Sequence, residues 1–304
     1  MKYYLAPLEG ITTYIYRSLY HKYFTPLDKY FTPFLVPHTK RGLNNREIKE
    51  VSPEFNKGMH LVPQIMTNSS EGFLSTVKKL REYGHNEVNL NFGCPSKTVV
   101  KKGRGSGFLK FPEEIDHFLY DIFEKSDINI SIKTRLGFEA TEEFEELLAI
   151  YNKYPLKELI IHPRTGKEFY SGTVHIDVYL NALTKTTIPI CYNGDIKTNN
   201  DIETILHKSD KTIAIMLGRG IIGNPFLFES DHPDFELMDR IHNFLLELLS
   251  NYRVLCGNDK QALFKLKEIF TYMQVLFPDD KKLLKKMRKS ESISAFSSAL
   301  NELF

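Results

Sequence analysis

Short apolar and β-branched runs recur along this chain, and most are followed by a stretch whose apolar residues fall three and four positions apart. Alternation within a run marks a strand, and the longer spacing marks a helix with one buried stripe. Eight such runs are present: Lys2 to Ala6, Tyr30 to Val36, Leu61 to Ile65, Glu87 to Asn91, Asn129 to Lys133, Glu158 to His162, Ile188 to Tyr192 and Thr212 to Leu217. Helices are expected between them, over Thr13 to Tyr23, Ser70 to Tyr83, Pro112 to Glu124, Thr141 to Tyr151 and Asn199 to His207. Several open on a capping hydroxyl or an early proline, with Glu142 and Glu143 near the start of the fourth. Strand and helix in regular alternation predict a parallel sheet of the α/β class. Eight such units within about 230 residues fit a (β/α)8 TIM barrel better than an open doubly wound sheet.

From about Asp234 the strand pattern stops, and apolar residues follow helical spacing to the end of the chain. The expected organisation is therefore a barrel over residues 1–230 and a small all-helical domain over 231–304. Within that domain KKLLKKMRK, Lys281 to Lys289, holds six basic residues in nine, a solvated helix face or a grip on phosphates.

Composition narrows the function. With 304 residues, 42% hydrophobic and 26% charged, the chain is an ordinary globular protein and not a disordered one. A net charge of +2 leaves any polyanion to be held by local basic patches. The N-terminus MKYYLAPLEG lacks the apolar core of a signal peptide, and no run approaches the ~18 residues that cross a bilayer. A cytoplasmic protein with no membrane partner is expected. Three cysteines at wide spacing fit neither a disulfide framework nor a zinc site, so no metal is expected and single-thiol chemistry comes forward. Cys191, inside IPICY, and Cys256, before Gly257, read as structural.

Barrel chemistry sits at the C-terminal ends of the strands. Those ends are unusually polar: Gln64 on the third, Asn91 and Cys94 on the fourth, Lys133 and Arg135 on the fifth, and His162 and Arg164 on the sixth. The seventh gives Asn193, Gly194 and Asp195, and the eighth gives Gly218 and Arg219. In VNLNFGCPSK the alternation puts Asn89 and Asn91 on one face and Val88, Leu90 and Phe92 on the other. Gly93 then lifts Cys94 off the strand and Pro95 stiffens the exit. GRGIIG, Gly218 to Gly223, matches a dinucleotide fingerprint in form, but it follows the last strand and Asn224-Pro225 interrupts the helix a Rossmann fold needs. With Asn193-Gly194-Asp195 it reads instead as one phosphate site at strands seven and eight. GRGSG, Gly103 to Gly107, is no Walker loop, and reads as a mobile polar loop or, with Lys97, Lys101, Lys102 and Arg104, as a flap over an anionic substrate.

These motifs, taken in order, resemble the flavin-dependent tRNA-dihydrouridine synthase family. APLEGIT, PQIMTN, NLNFGCPSKTVVKKGRGSGFLK, SIKTRLGFE, IHPRTGKEFYSG, YNGDI and GRGIIGNPFLF follow the family's sequence across nearly the whole barrel. The resemblance implies reduction of uridine in tRNA, with bound FMN and NADPH as reductant. It implies FMN contacts at Pro7, Leu8, Glu9, Gln64, Lys133, His162, Asn193, Gly194, Asp195, Gly218 and Arg219, and a proton donor at Cys94. Substrate contacts fall on Asn91 and Arg164, with Lys97 and Arg135 nearby; a monomer acting on tRNA is expected. The chain departs from the family at Glu9, Thr13, Pro163 and Phe226, where a small residue, aspartate, glycine and tryptophan are frequent. Two other readings remain: an FMN barrel reducing a free pyrimidine or related small molecule, and a non-catalytic RNA-binding barrel.

Overall fold

The computed structural model describes residues 1–37, 42–229 and 234–304. Nine parallel strands run β1 Lys2–Leu5, β2 Lys29–Phe31, β3 Leu61–Val62, β4 Gln64–Ile65, β5 Glu87–Phe92, β6 Asn129–Gly137, β7 Glu158–Thr165, β8 Ile190–Tyr192 and β9 Thr212–Leu217. Their order is β3-β2-β1-β9-β8-β7-β6-β5-β4. The two ends of that order are consecutive in the chain, so the sheet closes on itself: Tyr30 pairs with Leu61 on one side and Gln64 with Asn89 on the other. The third expected strand is thus two pieces around Pro63, which has no N–H to give the ladder. The fifth and sixth extend past their expected ends, through Arg135 to Gly137 and through Arg164 to Thr165.

Around the barrel lie α1 Tyr14–Tyr23, α2 Asn45–Val51, α3 Ser70–Glu82, α4 Lys97–Val100, α5 Pro112–Lys125, α6 Glu143–Tyr151, α7 Ile176–Thr184, α8 Asn199–Lys208 and α9 Arg219–Gly223. Four more helices follow: α10 Asp234–Cys256, α11 Asp259–Met273, α12 Lys281–Lys289 and α13 Ile293–Asn301. The domain boundary expected at 230/231 lies outside the described residues. On either side of it the packing is continuous: Phe244 of α10 meets Phe24 edge-on at 5.1 Å, and Arg240 lies over the rings of Phe24 and Phe226 while binding Glu229. Phe226, at the family's tryptophan position, is therefore part of the seam between barrel and helices.

The strand alternation divides the core. Val88, Leu90 and Phe92 face the helices, whereas the barrel interior holds Tyr4, Ala6, Phe31, Val62, Ile160, Cys191, Ala214 and Met216. Asn89 points inward too, and it is satisfied by a chain of amides. Gln64 Nε2 donates to Asn89 Oδ1 at 2.8 Å, Asn89 Nδ2 donates to Ser131 Oγ at 2.9 Å, and Asn91 Nδ2 donates to Gln64 Oε1 at 2.8 Å. A buried polar group left without such partners would cost several kcal/mol, of order 1–3.

The opposite end of the barrel is plugged by charge. Lys29, Glu87 and Glu158 open three of the strands, and Lys29 Nζ binds Glu87 at 2.7 Å and also binds Glu158. Lys157 reaches Glu87 at 2.7 Å and the Tyr4 hydroxyl donates to Glu158 at 2.9 Å. Burial by itself would raise the Glu87 pKa, but hydrogen bonds from His60, Lys157 and Lys29 outweigh it and hold the carboxyl down at about 2. A depressed carboxylate stabilises the fold above its unfolded pKa, and that contribution is lost as pH falls through the folded value. The stability gap between the wild type and Glu87→Gln, followed by urea unfolding, should be about 3 kcal/mol larger near neutral pH than at pH ~2, most of the change falling below pH ~4.5. A gap independent of pH would show that the plug does not hold Glu87 in this way.

Candidate active site

Asn91 sets the turn that carries Cys94. Its Oδ1 accepts from the Gly93 N–H at 3.1 Å and from the Cys94 N–H at 2.9 Å. From the other side the Cys94 carbonyl accepts from Ser106 N at 3.0 Å and Ser106 Oγ at 3.1 Å. Ser106 belongs to a 3-10 turn over Gly105–Lys110 whose Gly105, Ser106, Gly107, Phe108 and Leu109 are all buried. The Gly105-Ser106-Gly107 part of the GRGSG segment, expected as a polar loop or flap, is docked beneath the thiol. Only glycine fits at its hinge, because Gly105 has φ +55° and a Cβ there would stand 2.6 Å from the Cys94 carbonyl oxygen. Burial raises the Cys94 thiol pKa, and the Ser96 N–H, Arg135 and Lys133 offset it in part. The group is a thiol at neutral pH.

Cys94 opens onto a cavity of about 500 Å³ at the C-terminal mouth of the barrel. Its lining gathers Asn91, Lys133, Arg135, His162, Asn193, Gly194, Asp195, Gly218 and Arg219, expected from the strand ends, and Pro7, Leu8 and Glu9, expected from the resemblance alone. Lys133 is half-buried and pairs with no carboxylate among the described residues; burial and the neighbouring Arg135 lower its pKa to about 8. Arg135 is 1% exposed, its Nε donating to the Gly93 carbonyl at 2.8 Å and its NH1 to the Thr165 carbonyl at 2.7 Å. Burial and the surrounding cations push His162 far toward its neutral form. Arg164 NH1 lies 3.1 Å from His162 Nε2. A guanidinium can only donate, so Nε2 accepts and the ring proton sits on Nδ1.

Three expected residues stand apart from the cavity. Gln64 is fully buried, both ends of its amide engaged by Asn89 and Asn91. Lys97 lies exposed on α4. Arg164 is 1% exposed and bound to Asp195 at 2.5 Å, the Ser171 carbonyl at 3.1 Å and the Gly172 carbonyl at 2.6 Å. It braces the rim beneath the surface and does not present its charge to a ligand.

The structure also adds residues. Tyr170, 56% exposed, overhangs the mouth with the Arg219 and Arg135 guanidinium groups 4.8 and 5.5 Å from its ring centre. An aromatic pair, Phe169-Tyr170, in the loop five and six residues after the strand-end Arg164 was a usable signal. Lys197, two residues after Asp195, joins the lining, as do Glu268 and Tyr272 of α11. No rule about strand ends could reach those last two.

Asn193, Gly194, Asp195, Lys197 and Arg219 surround one end of the cavity. Backbones approach closely there: a Cβ on Gly220 would lie 2.0 Å from the Ile196 carbonyl oxygen. A closed α/β barrel with a protonated thiol, a half-buried lysine and an anion cradle at its C-terminal mouth has the layout of a barrel enzyme that works at that mouth. The model of the dihydrouridine synthase family matches residues 4–301, and the chain belongs to that family. A probable tRNA-dihydrouridine synthase from Staphylococcus aureus (strain Mu50) is 31% identical over 261 residues, covering 82% of this chain and 77% of the relative. The tRNA-dihydrouridine synthase B of Pasteurella multocida is 25% identical over 285 residues, covering 91% of this chain and 85% of its own. Among solved structures, a variant of NCR from Zymomonas mobilis is similar with a TM-score of 0.52 and 11% identity, covering 75% of this chain and 86% of that one. A morphinone reductase is similar with a TM-score of 0.51 and 10% identity, covering 74% and 85%. At that identity these two share the fold.

Proposed function

We propose that this protein is a cytoplasmic, monomeric tRNA-dihydrouridine synthase that holds FMN in the described cavity and takes its electrons from NADPH. The observation that carries the reading is the convergence, in a member of this family, of Cys94, Lys133, neutral His162 and the anion cradle on one cavity. The residues fit FMN. Asn193, Gly194, Lys197, Gly218, Arg219 and the main chain of Asp195 would hold its phosphate, on backbone segments that close packing of Gly220 against Ile196 keeps together. Pro7, Leu8, Glu9, Lys133 and His162 would line its ring system. Gln64 supports that floor through its bonds to Asn89 and Asn91.

When bound, reduced FMN would supply the hydride that C6 of the uracil ring takes up. Cys94 completes the reduction by giving its Sγ proton to C5, so that the double bond takes up one hydride and one proton and a thiolate remains. Arg135 and Lys133 favour that thiolate, since both act on the Cys94 pKa in that direction. Solvent returns the proton. Lys133 keeps a positive charge at the cavity floor at neutral pH and favours an anionic ligand there. His162 donates a hydrogen bond from Nδ1, with Arg164 fixing the tautomer. Asn91 has one amide N–H left after its bond to Gln64, and this donates to a uracil carbonyl.

For the RNA, Lys281, Lys282, Lys285, Arg288 and Lys289 of α12 offer phosphate contacts, while Lys286 is paired with Glu302 at 2.5 Å. Lys97, Lys101, Lys102 and Arg104 add a second basic patch beside the thiol. The test is direct. Unmodified tRNA incubated with the protein, FMN and NADPH should acquire dihydrouridine; activity on free uracil or dihydroorotate and none on tRNA would replace this reading with a small-molecule reductase. NADH in parallel decides the reductant.

A further inference from the structure

The cavity is bounded on one side by a helix that the barrel alone would not supply. Phe264, Glu268, Tyr272 and Val275 follow one another at intervals of four, four and three, so they lie along one face of α11 and its continuing turn. The opposite face, with Leu263, Leu266 and Phe270, is buried in the core. Phe264 is 71% exposed and Val275 is 69% exposed, whereas Glu268 and Tyr272 line the cavity. An aromatic and apolar strip thus runs from open surface to the catalytic mouth. Phe264 is more exposed than Tyr120 at 59% or Tyr170 at 56%, and it stands one helical turn from the cavity lining.

We propose that this face of α11 is a stacking surface for an unpaired RNA base beside the target nucleotide, with Phe264 as the platform. The proposal rests on the tRNA reading above. A uridine can reach Cys94 only by leaving its stack, and its neighbour then loses one face of its own stacking. An exposed phenyl ring can take that face whatever the base, because every base has one. Continuity with the cavity puts the platform where the neighbour must pass. Charge agrees: Lys260 lies one turn before Phe264 on the same face, and Lys267 Nζ donates to the Arg288 carbonyl at 3.0 Å, tying α11 to the end of the basic helix α12. Glu268 is the acidic position on that face, one turn beyond Phe264, where it interrupts the strip at the cavity rim.

The experiment measures the Kd of FMN-loaded protein for an unmodified tRNA transcript by fluorescence anisotropy, with dihydrouridine formation followed in parallel. Phe264→Ala and Phe264→Leu should each weaken binding about tenfold, and Phe264→Tyr should bind like the wild type, since a ring stacks and a branched alkyl chain does not. A Phe264→Ala variant with unchanged Kd overturns the proposal, as does a Phe264→Leu variant that binds normally. So does a wild-type dimer in sedimentation that Phe264→Ala dissociates, because the strip would then join two copies of the chain. If the wild type forms no dihydrouridine, the functional reading fails. If it does and Phe264→Ala keeps its affinity, only the stacking surface falls.

Discussion

Cys94→Ala should retain its flavin absorbance and still accept electrons from NADPH, but lose about 10²-fold or more in the rate of dihydrouridine formation, the usual scale for a lost general acid. The expectation follows from how little else the thiol does. Its backbone is held by Asn91 and by Ser106, and both contacts use main-chain atoms that alanine keeps. The cavity therefore keeps its shape and the loss isolates the proton. A pH profile sharpens the test. Burial raises the thiol pKa, so the acid form, and with it the rate, persists through neutral pH and declines only at alkaline pH. The part of the alkaline limb that the thiol sets should be missing from the variant, whose residual activity keeps only the decline that follows Lys133 losing its charge at about 8. Unchanged turnover in Cys94→Ala would remove the thiol from the chemistry.

Gly220→Ala should weaken FMN binding by about ten to a hundredfold, the equivalent of the ~1–3 kcal/mol that overpacking costs. The added methyl would meet the Ile196 carbonyl oxygen at 2.0 Å, and that is backbone, which cannot step aside as a side chain can. Either α9 or the segment carrying Asp195 and Lys197 must shift. The cradle opens in both cases. Titration of flavin-free protein by flavin fluorescence reads the loss without any turnover. Riboflavin, which has no phosphate, should lose much less affinity than FMN. Equal losses for the two flavins would place the phosphate elsewhere.

Much of the cavity was legible in the sequence because strand periodicity identifies where each strand ends, and barrel topology turns those ends into neighbours. Asn91, Cys94, Lys133, His162, Asn193 and Arg219 were found in this way. Arg164 was found but given the wrong outlook. Sequence spacing shows that a residue lies at a rim, but not that Asp195 and two carbonyls already occupy its guanidinium. The GRGSG segment was misjudged for a related reason. Glycine, arginine and serine read as an exposed loop by composition, whereas here the absence of side chains lets the backbone pack against Cys94. The third strand was expected as one run from Leu61 to Ile65, whereas Pro63, with no N–H to give the ladder, splits it into β3 and β4. Glu268 and Tyr272 stayed invisible because a tertiary contact between α11 and α9 brings them to the mouth, and no local pattern encodes it.

The docked turn under Cys94 has one further consequence. In this conformation the proposed proton donor is tied at its N–H and at its carbonyl, so the distortion that brings a uracil to it falls on the RNA. Selection among uridines then becomes a question of which ones yield easily, and a loop that already holds its bases apart would be modified ahead of any position locked in a duplex.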